Sequence, residues 1–191
     1  MPIAIVTGAS RGLGFENAKG LAALGYDIVM VAKDQSRLST AQQSLQRDFS
    51  DRTFSTYAVD LADLVATRAT ISQIATAHPN PDVVILAHGV MSEKMSKTLR
   101  TTDEEWRRVM AINLDSVFIL VNGLVPSMAD ARKGRVIIYS ACLGRMSGPG
   151  NAGGLAPYRI SKAGVNALVR NLAHETGLGA RGLLVDAVCP N

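Results

Sequence analysis

Ile3-Ala4-Ile5-Val6-Thr7, continuing as Gly8-Ala9-Ser10-Arg11-Gly12-Leu13-Gly14, is the stretch that decides the fold. A short β-branched run ends in a TGxxxGxG sequence, and a helix-period segment opens immediately after it. That order supplies what a dinucleotide pyrophosphate needs: glycines for a tight turn and close backbone approach, then a helix N-terminus with unpaired amides and a positive dipole end. Glycines alone would serve a plain structural turn equally well. The strand before them and the helix after them favour the dinucleotide reading.

Outward from this loop, short β-branched runs alternate with longer helical stretches, the signature of repeated βαβ units. The expected strands are Ile3 to Thr7, Asp27 to Ala32, Phe54 to Val59, Val83 to Ala87, Arg135 to Tyr139 and Leu183 to Val188. Helices are expected at Leu13 to Leu24, Ser36 to Arg47, Asp63 to Ala77, Asp103 to Leu124 and Pro157 to His174. Thr102 with Glu105 reads as a capping box, and Gly25 and Gly177 read as helix stops. Six strands with intervening helices make one α/β domain over 1–191, a doubly wound parallel sheet of Rossmann type whose ligand lies beyond the carboxyl ends of the strands. The stretch from Cys142 to Pro157, with Gly144, Gly148, Gly150, Gly153 and Gly154, reads as a functional loop at the rim of the site.

Composition narrows the function. The 191 residues are 47% hydrophobic and 19% charged, with two cysteines, which excludes a disordered polyelectrolyte and a disulfide-stapled miniprotein. Cys142 and Cys189 are expected as free thiols. A net charge of +4 suits a small phosphorylated ligand and is modest beside a nucleic-acid binder. Val117 to Val125 is broken by Asn122 and Gly123 and followed by Pro126, well short of the roughly 20 residues a membrane span needs. Met1 and Pro2 run straight into the first strand without a basic leader, so the expected location is the cytoplasm, with neither membrane nor nucleic acid as partner. His78 and His174 show no metal-ligand spacing, and no metal is expected.

TGASRGLG, Asp60-Leu61, Asn113, Tyr158-Arg159-Ile160-Ser161-Lys162 and Val188-Cys189-Pro190 fall in the order of one family. The chain resembles the short-chain dehydrogenases/reductases, particularly their carbonyl-reductase-like members, over essentially its whole length. The resemblance implies an NADP(H)-dependent oxidoreductase acting on a carbonyl or alcohol substrate. It implies nucleotide contacts from Gly8, Ser10, Arg11, Gly12, Leu13, Gly14, Lys33, Asp60, Leu61 and Gly89, with Tyr158 and Lys162 serving cofactor and catalysis alike. Asn113 would belong to a proton relay through an ordered water, and Asp60 would contact the adenine amino group. The family associates through helices that correspond here to Asp103–Leu124 and Pro157–His174, so a homodimer or homotetramer is implied.

The residues themselves add to this. An acidic side chain at the end of the second strand would bind the ribose hydroxyls of NAD and repel the extra phosphate of NADP. Here Ala32 and Lys33 stand there, and Arg11 adds a second cation, which favours NADPH. Lys33 as a merely solvated cation is the alternative, and Asp34 is the residue that would spoil the reading. Asp60 could equally cap a helix. Tyr158 and Lys162, four residues apart on a helix, share one face. A nearby ammonium would lower the phenol's pKa from about 10 toward the range useful for acid-base catalysis. Under the resemblance Tyr158 is the general acid/base and Lys162 lowers its pKa while binding the nicotinamide ribose. Asn113 inside an apolar helix signals either a specific hydrogen bond or a helix bend.

Three departures from the family pattern stand out. Its catalytic serine aligns with Ala141, leaving Ser140, one residue earlier, as the catalytic candidate only where the strand has ended or bulged, with Ser147 or a backbone amide as substitutes. Its N-N-A-G turn is Leu86-Ala87-His88-Gly89, where His88 is either a structural group or a proton-tuning one. Asn191 stands where the family continues into a turn, a substrate-covering helix and a seventh strand, so the domain reads as truncated after the sixth. These departures leave a catalytically impaired NADP-binding module as the competing reading. Met91 to Leu99 and Gly144 to Ala156, carrying Met91, Met95, Met146 and Leu155, are expected to frame an apolar substrate pocket, although each methionine could be ordinary core.

Overall fold

A computed structural model describes residues 1–93, 97–147 and 153–190. Met95, Gly148, Gly150 and Asn191, which entered the expectations above, lie outside the described residues. The strands are β1 (Ile3–Thr7), β2 (Asp27–Ala32), β3 (Phe54–Ala58), β4 (Val83–Leu86), β5 (Gly134–Tyr139) and β6 (Leu183–Val188), and all pairings are parallel. The helices are α1 (Gly12–Ala23), α2 (Gln35–Asp48), α3 (Leu64–Ala77), α4 (Asp103–Met110), α5 (Ser116–Ala131) and α6 (Ala156–Glu175). The sheet order is β3-β2-β1-β4-β5-β6, so the winding reverses between β1 and β4 and opens a crevice beyond their carboxyl ends.

The apolar runs follow from a sheet covered on both faces. In β1, Ala4 and Val6 join the core under α1 and α2, with Ala18, Ala22, Leu38 and Leu45. Ile5 points the other way, into a larger core with Ile71 and Ile74 of α3, Leu120 and Leu124 of α5, and Val165 of α6. The period-2 alternation of strand side chains thus sorts the two layers.

The expected helix Asp103 to Leu124 differs in two respects. A π turn, Ala111–Asp115, separates α4 from α5, and α5 runs past Pro126 to Ala131. Proline removes one backbone donor, and a face that buries Val117, Leu120, Val121, Leu124, Val125 and Met128 overrides that loss. Gly123 is a contact point rather than a break, because a Cβ there would lie 2.5 Å from Ile71 on α3. The whole run Asp103–Ala131 is long and apolar enough to cross a membrane by composition, unlike its fragment Val117 to Val125. Half of its most apolar window is buried inside the fold, as a core helix requires.

Candidate active site

The glycine loop forms one wall of a cleft of about 560 Å³ over the sheet's switch point. Gly8 has φ +68° and Gly12 φ +56°, the left-handed region that favours glycine. A Cβ on Gly14 would lie 2.3 Å from the Gly8 carbonyl oxygen, so the first turn of α1 closes onto the loop only without a side chain. A Cβ on Gly12 would meet nothing within 4 Å. Gly8, Ser10, Arg11 and Gly12 line the cleft, as do Lys33, Asp60, Leu61 and Gly89. Leu13 is half-exposed at the head of α1 and is not among the lining residues.

At the adenosine-side expectation, the cations are arranged differently from the sequence reading. Lys33 is not a free cation: its Nζ lies 2.7 Å from Asp60 Oδ2. That hydrogen bond holds the Asp60 carboxyl below its usual range against opposing desolvation, with help from the Ala62 amide. Asp60 does not cap a helix either. It accepts from the Ala62 amide at 3.0 Å, while Asp63 accepts from Val65 and Ala66 and caps α3. Asp34 is occupied as the N-cap of α2, accepting from the Arg37 amide at 3.0 Å. Arg37, which the sequence reading missed, lines the cleft and also an adjoining groove with Ser10 and Arg11. Its place one turn into a helix that starts straight after Lys33 was the available signal.

Next to the cleft-lining Gly89 turn, three elements meet. Lys162, in α6, is 4% exposed and its Nζ donates to the Tyr139 carbonyl at 2.7 Å, at the end of β5. Burial lowers its pKa to about 8. Asn113, fully buried in the π turn, accepts from the Val90 amide at 2.8 Å and donates to the Val90 carbonyl at 2.9 Å and to Ser161 Oγ at 3.1 Å. A Cβ on Gly89 would lie 3.4 Å from both Asn113 Oδ1 and Lys162 Nζ, so these two groups converge under the cleft-lining turn after β4. Asn113 therefore combines both sequence readings: specific hydrogen bonds and a local change of helix geometry.

Tyr158 lies in the first turn of α6, which starts at Ala156-Pro157. The phenol is pushed up, first by burial and then by the neighbouring Cys189 and Cys142 thiols. The expected lowering by Lys162 is thus corrected: the ammonium is drawn to the Tyr139 carbonyl, and desolvation governs the phenol. Ser140 is engaged away from Tyr158 and the cleft-lining residues. Its hydroxyl is buried and turned to α6, donating to Asn166 Oδ1 at 2.5 Å and lying 3.4 Å from the Lys162 carbonyl. β5 ends at Tyr139, so Ser140 stands just past the strand, although its amide still pairs with the Val188 carbonyl. Ser147 is exposed and lines a groove with Asn166 and Arg170 on α6, separate from the cleft. Met146 is exposed there too, and Met91 is half-exposed. Cys142 and Cys189 are free.

His88 is held at both ring nitrogens, Nδ1 2.6 Å from Thr7 Oγ1 and Nε2 2.9 Å from Ser116 Oγ. Burial and then the Lys162 charge lower its pKa to about 3, so it is neutral at ordinary pH. Among the described residues no three His, Cys, Asp or Glu side chains gather as a metal site.

Comparison with known proteins places this geometry. The family described as short chain dehydrogenase matches residues 2–191. The 3-oxoacyl-[acyl-carrier-protein] reductase FabG of Escherichia coli is 30% identical over 188 residues, 98% of this chain and 72% of the relative. The FabG of Staphylococcus aureus is 31% identical over the same shares. A metagenomic short-chain oxidoreductase, solved in complex with NADP, superposes with a TM-score of 0.86 at 29% identity, covering 100% of this chain and 82% of the other.

Proposed function

Because this chain belongs to the short-chain dehydrogenase family of oxidoreductases, we propose that it moves a hydride between NADPH and a carbonyl substrate, an aldehyde or ketone, with the alcohol as product. The carrying observation is the convergence of Lys162 and Asn113 beneath the Gly89 turn, with Tyr158 one helical turn before Lys162. The reductase name of the FabG relatives and the NADP bound by the metagenomic oxidoreductase support the reaction class and the cofactor.

The chain's residues fit such a nucleotide. Gly12 leaves its backbone open to a pyrophosphate, and Gly8 and Gly14 hold the loop against α1. Arg11, Lys33 and Arg37 surround the part of the cleft suited to an extra ribose phosphate, where Arg37 and Arg11 share the adjoining groove. The bound nicotinamide supplies the hydride. Lys162 holds the nicotinamide ribose, and Asn113 fixes the Gly89–Val90 turn beside it. Tyr158 acts as the proton donor to the carbonyl oxygen: with its pKa raised, the phenol stays protonated at neutral pH, which suits the reducing direction. Cytoplasmic location and association through the outer faces of α5 and α6, where Phe118 and Ile160 are half-exposed, belong to the same proposal.

One observation favours a second reading, an NADP-binding module without turnover: Ser140 is turned away and Ala141 has no hydroxyl to offer the substrate. The deciding experiment follows NADPH oxidation with a panel of aldehydes and ketones, in the wild type and in Tyr158→Phe. Turnover lost in the variant with NADPH affinity kept supports the reductase. Turnover retained by Tyr158→Phe refutes the mechanism, and NADPH binding without any oxidation selects the second reading.

A further inference from the structure

We infer that His88 is a positioning residue, a neutral imidazole protonated on Nε2 that ties the root of the glycine loop at Thr7 to Ser116 at the exit of the π turn and thereby sets the place of Asn113. The proton directions follow from the partners. Ser116 Oγ donates its one proton to the Ile112 carbonyl at 2.7 Å, so toward His88 Nε2, 2.9 Å away, it can only accept. Nε2 therefore carries the hydrogen, and Nδ1 accepts from the Thr7 hydroxyl at 2.6 Å. Thr7 and Ser116 are both fully buried; losing the imidazole would take away the partner of the Thr7 hydroxyl, while Ser116 would keep its bond to the Ile112 carbonyl.

The chain of donors runs from Thr7 through His88 and Ser116 and stops at a backbone carbonyl. His88 itself lines the cleft, but both its ring nitrogens are taken, one accepting from Thr7 and the other donating to Ser116, so neither is left for a group in the cleft. What the bridge does is mechanical. The Ile112 carbonyl and Ser116 bracket the turn of helix that carries Asn113, and Asn113 in turn grips both polar groups of Val90. Ile112, Gly89 and Val90 line the cleft with His88, so one imidazole links the glycine loop to the turn under which Asn113 and Lys162 converge.

The catalytic consequence rests on the reductase proposal; the structural one does not, and the test separates them. Imidazole 15N spectra of the wild type are expected to show the Nε2–H tautomer with no titration between pH 5 and pH 9. Hydrogen exchange at the Val90 amide, which reports its bond to Asn113, is expected to quicken about tenfold or more in His88→Ala while β1 amides keep their protection. His88→Gln, whose amide can donate to Ser116, is expected to restore most of that protection. NADPH affinity should change by less than about threefold while kcat falls about tenfold, because the loss is in alignment. An Nδ1–H tautomer, titration near neutrality, or unchanged Val90 exchange in the variants would overturn the inference. A wild type that binds NADPH and reduces no carbonyl would refute the proposed function alone, leaving the tautomer and exchange to decide on His88. If His88→Ala does not fold, His88→Gln and the wild-type spectrum carry the same decision.

Discussion

Replacing Lys162 with methionine isolates the energetic consequence of keeping an ammonium beneath the cleft. The side chain is 4% exposed, and burial takes its pKa from 10.5 to about 8. The unfolded chain keeps this proton up to about pH 10.5, whereas the folded chain releases it near pH 8. Between those values the unfolded state binds more protons, so stability rises with pH. Below pH 8 both states are charged and the full penalty applies, on the order of 3 kcal/mol at about 1.4 kcal/mol per tenfold change in acidity. Between pH 7 and pH 9.5 the relief amounts to about 2 kcal/mol. Methionine has no proton to release and shows no relief. Urea unfolding of both proteins without nucleotide, at those two pH values, is expected to show the wild type gaining about 2 kcal/mol on Lys162→Met. Groups other than Lys162, Tyr158 included, cancel in the comparison to the extent that the substitution leaves them undisturbed. A difference that stays the same at both pH values would refute the buried ammonium.

Other substitutions probe the remaining parts. Ser140→Ala should lower stability by about 1–2 kcal/mol, through the bond lost to Asn166, and leave kcat within about twofold in a carbonyl reduction assay. Gly14→Ala should lower stability by about 3 kcal/mol in thermal unfolding and abolish NADPH binding, because its Cβ meets backbone rather than a side chain able to move. Arg37→Ala should weaken NADPH by about tenfold or more in a fluorescence titration and leave NADH unchanged, the expected loss of a charged hydrogen bond.

Most of the fold could be read in advance because burial on both faces of a parallel sheet writes itself into the chain as continuous apolar, β-branched-rich runs; β1 and β2 fall where expected to the residue. The glycine loop was equally readable, since its requirements are local. Partnerships set by tertiary packing were not. Nothing in the sequence says that Lys33 reaches Asp60, 27 positions on, or that Lys162 turns to the Tyr139 carbonyl and leaves the Tyr158 phenol to desolvation. Ser140 was half-legible: strand alternation warned that it faces away from the position of Ala141, and the bond to Asn166 shows where it goes. The π turn at Asn113 left only the trace of an amide in an apolar helix, and α5 ran through Pro126 because packing outweighed one missing donor.

The contact between Gly14 and the Gly8 carbonyl also bears on how this cleft can change over generations of mutation. Backbone meets backbone there, so no rotamer can absorb an added methyl, and the frame of the loop is inherited whole or lost. Arg11, Lys33 and Arg37 instead line the cleft with side chains, and the partners of Lys33 and Arg37, Asp60 and Asp34, are part-exposed side chains that can move when one of the cations is replaced. Cofactor preference is therefore free to drift through these three positions one step at a time, while the cradle beneath them stays fixed.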